Sequence, residues 1–210
     1  MTNLHCITRI ALSLSLLWLL ALGGCSTLPQ SRLAPVNVSQ AEQADAWELQ
    51  GKLAVKSPSD KFSTNLYWLH TQEGDELRLT TMLGTTVLTL CSDRRGARLE
   101  VDGKVFEDSQ PQRLLERVSG WTIPLASLPL WITGQTGMSP AQVTLDGQGY
   151  PSLLLSPDPG APWRVQFLSW QQQSGATIPK QLRLDREGLQ LKIQVNRWQA
   201  LGQPVAKLPQ

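Results

Sequence analysis

Leu189-Gln190-Leu191-Lys192-Ile193-Gln194-Val195-Asn196 sets an apolar side chain at every second position and a polar one between. Successive side chains of a strand point to opposite faces, so this stretch reads as a β-strand with one face in a core and the other in water. A helix would need its apolar residues three and four apart. The same reading extends back along the chain. Leu182 and Leu184 flank Arg183, and Trp163 to Gln171 sets Val165, Phe167 and Ser169 against Arg164 and Gln166. Leu153 and Leu155, and before them Val143 and Leu145, repeat the pattern. Nearer the amino terminus, Leu49, Leu53 and Val55 share a face, with Gly51 between them, and Phe62, Leu66 and Trp68 oppose Ser63 and Asn65. Leu77 with Leu79, Leu88 with Leu90, and Leu99 with Val101 continue it. Ser57-Pro58-Ser59-Asp60 and Glu73-Gly74-Asp75 suit the short links between antiparallel neighbours. Strand after strand with one apolar face is the signature of an antiparallel sheet.

The period changes once. Leu114, Leu115 and Val118 recur at helical spacing behind Pro111, which suits a first helical turn, and Gly120 suits the stop. An apolar stretch follows from Trp121 to Gly134, where Pro124 and Pro129 exclude one long helix and predict two short helical pieces. A long sheet with one apolar face has to curl around something, and a barrel left partly open needs a cover. The expected fold is therefore mostly β: a partly open antiparallel β-barrel enclosing an apolar cavity, with an inserted α-helical lid. Leu53, Leu66, Trp68, Leu77, Leu79 and Leu88 are the candidate walls of an acyl-chain cavity, and Trp121, Leu125, Leu128 and Trp131 its lid. The same residues serve equally as a solid core. The seven tryptophans beyond the leader carry the same two readings, because large rigid rings either fill a core or wall a hollow.

At the amino terminus, Ile10 to Leu22 is thirteen residues with only Ser13 and Ser15 polar, behind the positive charge of Arg9. That matches a secretory signal core and falls short of the roughly 20 residues that span a bilayer. It ends in Leu22-Gly23-Gly24-Cys25, which resembles the lipobox of bacterial lipoproteins. The resemblance implies cleavage before Cys25 and a thioether from its thiol to diacylglycerol. Ser26, where aspartate would favour inner-membrane retention, implies passage to the outer membrane, on its periplasmic face. The expected division is a signal peptide over 1–24, a flexible tether over 25–38 and a single domain over 39–210. The tether's ~13 residues reach roughly 45 Å when extended. Ser39 with Glu42 has capping-box spacing for a short helix through about Ala46.

Beyond the leader, Cys25 is committed to the anchor and Cys91 is alone, so no disulfide within the mature chain is possible and stability rests on core burial. His70 is the one histidine left, too few for a zinc site of several His and Cys, and neither a Gly-x-Ser-x-Gly nor a nucleotide-binding motif occurs. The expectation is a monomer that is not an enzyme and has no cofactor or metal. A net charge of +2, about +1 without Arg9, in a chain with no basic block gives no footprint for nucleic acid.

Between two good strands, Thr80-Thr81-Met82-Leu83-Gly84-Thr85-Thr86 holds only one turn-former, Gly84. Met82 and Leu83 either fold back into the core or form an apolar finger that meets a membrane. Burying one leucine contributes about 2 kcal/mol, too little to anchor a protein but enough to bias the contact of a tethered one.

The lipobox, the hairpin Leu83-Gly84-Thr85-Thr86 and the segment Ile123-Pro124-Leu125…Leu128-Pro129…Trp131…Gly134 together resemble the LolB family of outer-membrane lipoproteins. The resemblance spans the chain beyond the leader and implies a partly open barrel with a helical lid. It implies acceptance of cargo lipoproteins from a periplasmic LolA-like carrier and their placement in the inner leaflet of the outer membrane. Leu83, flanked by Met82 and Gly84, matches the family's membrane-insertion loop. Two features depart from the pattern: Met82 stands where proline would fit, and the tail Gln199 to Gln210 runs past the usual end. The rival readings are an assembly lipoprotein that binds protein partners without a lipid cavity, and a hydrolase using His70.

The anchor reading makes a direct prediction. Cys25→Ala abolishes incorporation of radiolabelled palmitate and leaves the leader uncleaved; labelling that persists in the variant would place the lipid elsewhere.

Overall fold

The computed structural model describes residues 33–137, 139–158 and 160–203. The signal sequence, Cys25 and the tail from 204 onward lie outside the described residues. In chain order the strands are β1 (Ala34–Pro35), β2 (Ala46–Lys56), β3 (Lys61–His70), β4 (Gly74–Thr80), β5 (Thr86–Asp93), β6 (Gly96–Val101) and β7 (Lys104–Asp108). Helices α1 (Pro111–Ser119) and α2 (Leu128–Ile132) follow. The chain then returns to strands β8 (Gln142–Leu145), β9 (Pro151–Leu155), β10 (Arg164–Gln173), β11 (Ala176–Arg186) and β12 (Leu189–Gly202).

All twelve strands belong to one sheet, in the order β7-β6-β5-β4-β3-β2-β12-β11-β10-β9-β8, with β1 paired to β12 off this path. Every pairing is antiparallel. Each half is a meander of neighbours in sequence, which short connections make easy to form. The two halves meet only where β2 pairs with β12, from Lys56↔Gln190 to Ala46↔Leu201. β7 and β8 are the ends of the path, so the sheet is open rather than a closed barrel.

Strands β2 to β6 and β8 to β12 form where the alternation placed them, because one face has a core to enter; the alternation does not foresee β1 and β7. Leu49 and Val55 of β2, Leu182 and Leu184 of β11, and Leu191, Ile193 and Val195 of β12 are buried in one continuous apolar cluster. Trp47, Trp68, Trp131, Trp163 and Trp198 are buried in it as well. A smaller cluster of Leu90, Ala97, Leu99 and Leu114 lies under α1. α1 begins at Pro111 and ends at Gly120, whose N–H donates to the Glu116 carbonyl at 2.8 Å.

Several details differ from the sequence reading. The helix expected after Ser39 is a single 3-10 turn, Ala41–Gln43, and the partner is Gln43, not Glu42: its Oε1 accepts from the Ser39 hydroxyl at 2.9 Å and the Ser39 N–H at 3.0 Å. Of the two helical pieces expected between Trp121 and Gly134, one forms. Trp121 to Leu125 instead folds through tight bonds from Ile123 N–H to the Trp121 carbonyl and from Leu125 N–H to the Ile123 carbonyl. The stretch read as tether through Val38 is docked from Ala34 onward: Val36 N–H donates to Ala200 O and Val38 N–H to Ser174 O. Gln199 to Gly202, read as part of a tail without a role, completes β12 and holds both β1 and β2. In β9 the buried side chain is Leu154, between Val143 and Val165, and not Leu153 or Leu155.

Gly51 sits in the seam between the halves, opposite Val195 and next to the register shift between Val195 and Arg197. A Cβ there would lie 2.1 Å from the Gln194 carbonyl oxygen. The clash is with backbone, which cannot swing aside. Gly51→Ala is therefore expected to cost about 3 kcal/mol of unfolding free energy in urea titrations, and a loss under about 0.5 kcal/mol would show that the seam yields.

Candidate functional site

Cross-strand rows assemble the predicted wall. One row runs Leu49↔Trp68↔Leu77↔Leu90, and the next runs Gly51↔Leu66↔Leu79↔Leu88. Leu53 lies one row further along, opposite Thr64. From the other side the insert supplies Trp121, Leu125, Leu128 and Trp131. All ten predicted wall and lid residues thus meet in the main cluster or pack against it.

They fall into two groups. Leu66, Trp68, Leu79, Leu128 and Trp131 are only 3–7% exposed, so here lid and sheet are in contact and pack as core. Leu53, Leu77, Leu88, Trp121 and Leu125 are partly accessible. Phe62, which the wall assignment missed although its alternation was visible, stacks on Trp121 with ring centroids 5.4 Å apart. Leu53, Phe62 and Leu88 lie toward one end of the strands, and the register places the β4–β5 turn at that same end.

That turn is closed by its own backbone. Thr81 N–H donates to Thr85 O at 2.8 Å, Gly84 N–H donates to Thr81 O at 3.0 Å, and Asn65 Nδ2 donates to the same Thr81 carbonyl. Gly84 takes φ 88°, a left-handed conformation that glycine adopts without cost. With its polar groups paired internally, the turn has no route for its tip to fold back. Leu83 is 96% exposed and Met82 68%.

The opposite end of the sheet is polar inside. Trp68 Nε1 donates to Asp75 Oδ1 at 2.8 Å, and His70 Nδ1 meets the same oxygen at 2.7 Å. The Trp47 ring packs edge-on to Trp68 and tilted against His70, at 5.3 and 5.0 Å. His70 therefore shares a carboxylate with Trp68, and among the described residues no hydroxyl is hydrogen-bonded to it. Near this end a cleft of about 420 Å³ is lined by Ser39, Gln40, Thr133, Gly134, Tyr150 and Trp170 among others. It shares no residue with the predicted wall or lid. Gly134 is pressed onto Trp170 so closely that a Cβ would sit 2.7 Å from the indole, and Trp170 stacks in turn on Tyr150 at 4.9 Å. Among the described residues no group of three or more His, Cys, Asp and Glu is placed to hold a metal ion.

The lid is latched to the sheet edge by Asp108 at the end of β7. Its carboxylate accepts from Arg113 Nη2 at 2.5 Å and Nε at 3.0 Å, and from Arg117 Nη1 at 3.0 Å, while the Gln110 N–H donates to it at the helix entry. The hydrogen bonds from Arg113, then that from Gln110, pull the Asp108 pKa down to about 2. Nothing in the local sequence sets Asp108 apart from other acids, and only the fold brings both arginines round to it.

The family model described as outer membrane lipoprotein LolB matches residues 45–198. A protein of Shewanella baltica named outer-membrane lipoprotein LolB is 57% identical over 97% of this chain and 96% of its own length. One of the same name from Shewanella denitrificans is 61% identical over 86% and 89%. Among solved structures, a LolA superfamily protein of Nitrosomonas europaea gives a TM-score of 0.49 at 10% identity, over 80% of this chain and 89% of that one.

The latch has a pH signature. A carboxylate whose folded pKa, about 2, lies below its unfolded value contributes stability that is present above the unfolded value, about 3.9, and lost as pH falls through 2. Asp108→Asn should therefore melt below wild type at pH 7, with the gap closing between about pH 4 and pH 2. Thermal melts across that range check it, and a gap independent of pH would remove the carboxylate from the account.

Proposed function

The chain belongs to the outer membrane lipoprotein LolB family, and from that premise we propose that it takes acylated lipoproteins from a LolA-like periplasmic carrier and sets them into the inner leaflet of the outer membrane. The protein is an outer-membrane lipoprotein of lipoprotein localisation. One observation carries the finer reading: the exposed Met82–Leu83 tip and the partly accessible apolar seam of Leu53, Phe62, Leu88 and Trp121 share one end of the sheet. A tip that enters lipid would bring the seam's mouth to the membrane.

Transfer of this kind is physical rather than chemical. Acyl chains arriving from the carrier would part the lid from the sheet, exchanging lid–wall contacts for lipid–wall contacts of the same apolar kind. Direction would come from differences in affinity between carrier, this protein and membrane, since binding shifts an equilibrium only by its differential free energy. Leu53, Leu77, Leu88, Trp121 and Leu125, already partly accessible, would meet the chains first. Leu66, Trp68, Leu79, Leu128 and Trp131 would follow as the lid opens. Cys25 would carry the anchor, and several acyl chains hold a protein to a bilayer where one does not.

Depletion of the protein followed by membrane fractionation tests the reading. Other lipoproteins are expected to accumulate in the periplasm or inner membrane, and their normal arrival at the outer membrane would overturn it. Leu83→Glu separates insertion from folding. Stability should stay within about 0.5 kcal/mol of wild type, while partition of the protein onto vesicles falls about 30-fold, the equivalent of one leucine's burial. Unchanged partition would take Leu83 out of the membrane contact.

A further inference from the structure

Within the apolar interior one hydroxyl stands alone. Thr64 is 7% exposed, and its Oγ1 is buried with no hydrogen-bond partner. β3 sets it on the inner face between Phe62 and Leu66, opposite Leu53 of β2. Those neighbours offer it only carbon. A hydroxyl so placed has given up water and gained nothing in return. Valine has the same shape, suits a strand equally well and would avoid that loss. A buried polar group without a partner calls for an explanation, and a partner that arrives with a ligand is one.

The position fits such a ligand. Thr64 lies in the seam's accessible half, beside Phe62 and the Trp121 ring stacked on it. The rows of Leu66 and Trp68 continue deeper along the same face. From the lid, Gln112 accepts from the Leu125 N–H through Oε1, which leaves its own Nε2 buried and unpartnered as well. Among the described residues the Trp163 and Trp198 indole N–H groups are also buried without a partner, but they lie in the other half of the sheet, and Thr64 and Gln112 are the ones that belong to the predicted wall and the insert.

We propose that Thr64 is a specificity residue of the acyl-chain site, its hydroxyl donating to the carbonyl oxygen of a carboxylic ester at the head of a bound acyl chain. The inference rests on the transfer reading above and deepens it. Walls of leucine and tryptophan measure hydrocarbon and do not tell an acyl chain from an alkyl chain. An ester carbonyl only accepts, and a hydroxyl supplies the donor. The ester would sit near the mouth, with its tail along Leu66 and Trp68. Two lipids bring this group, the diacylglyceryl modification of a cargo lipoprotein and a membrane phospholipid, and the chemistry read by Thr64 is the same in both.

The test uses the mature protein and four probes: a fluorescent diacylglyceryl-cysteine lipopeptide, its ether-linked dialkyl counterpart without chain carbonyls, fluorescent diacyl phosphatidylglycerol and its ether analogue. Wild type should bind the ester lipopeptide about 5- to 10-fold tighter than the ether, the span of one hydrogen bond. Thr64→Val should abolish that preference by weakening the ester alone, with a melting temperature equal to or above wild type. Thr64→Ser should keep it. An ester preference for phosphatidylglycerol as well would extend the proposal to membrane lipid, and a preference confined to the lipopeptide would assign it to cargo. Equal binding of ester and ether by wild type, or a preference that survives Thr64→Val, would overturn the proposal and leave the transfer reading standing. Binding of no probe by wild type would overturn both.

Discussion

The pairing of β2 with β12 is the contact on which the rest depends. It joins residues about 150 apart in the chain, and it alone makes one sheet of two meanders. Each meander forms from sequence neighbours at little entropic cost, but closing so long a loop costs several times RT before any contact repays it. The ladder repays it with length, running from Lys56↔Gln190 to Ala46↔Leu201, and with the apolar residues it brings into one layer. Leu49 and Val55 from one half meet Trp198 and Leu191 from the other, all nearly fully buried. The amino-terminal strand β1 then docks on the far end of β12, so the seam also decides where the chain enters the domain.

A sheet formed in this way has one apolar face and two open edges, and the insert answers the first of these needs. α2 lays Leu128, Trp131 and Ile132 into the main cluster, while α1 covers the smaller one with Leu114. The two helices are fastened differently. α1 is held at the sheet edge by charge, through Asp108 and two arginines. α2 is held by shape, followed two residues past its end by Gly134, which is pressed onto Trp170. Between them the Trp121 to Leu125 segment lacks regular structure and carries the partly accessible residues of the seam. A cover fixed at both ends and irregular in the middle is suited to admitting a chain without leaving the sheet.

Ten of the twelve strands, helix α1 and the apolar character of the insert could be read from the sequence, because each rests on a period that local geometry imposes; β1 and β7 (Lys104–Asp108), short and without a clear alternation, could not. Where that signal failed, the cause is physical. In Leu153-Leu154-Leu155 three identical side chains carry no alternation, so only pairing with Val143 and Val165 selects Leu154 as the buried one. In β10 the register shifts on either side of Ser169 break the period, so that Trp170 and not Ser169 packs against the main cluster. Ser39 and Glu42 have the right spacing for a cap, yet Gln43 is the residue whose side chain reaches back. Ala34 to Val38, with its prolines and polar residues, looks like tether because its partners are Ala200 and Ser174, far away in the chain.

The sequence by itself determined a one-faced antiparallel sheet with an apolar insert, the absence of a disulfide from the domain, and a lipobox at Cys25. Alternation, proline placement and residue counts are local properties and survive without coordinates. Only the tertiary structure decided that Met82 and Leu83 stand in solvent, because that depends on how the turn is closed by hydrogen bonds among Thr81, Gly84 and Thr85 and by Asn65 of β3. Only it placed that tip at the accessible end of the seam, brought Arg113 and Arg117 to Asp108, and left the Thr64 hydroxyl alone among carbon. The place of the tip and the surroundings of Thr64 are relations across strands, set by register and packing, which have no signature in any single stretch of chain; the Asp108 latch spans only five and nine residues, but it forms because α1 turns its arginines back onto the sheet edge.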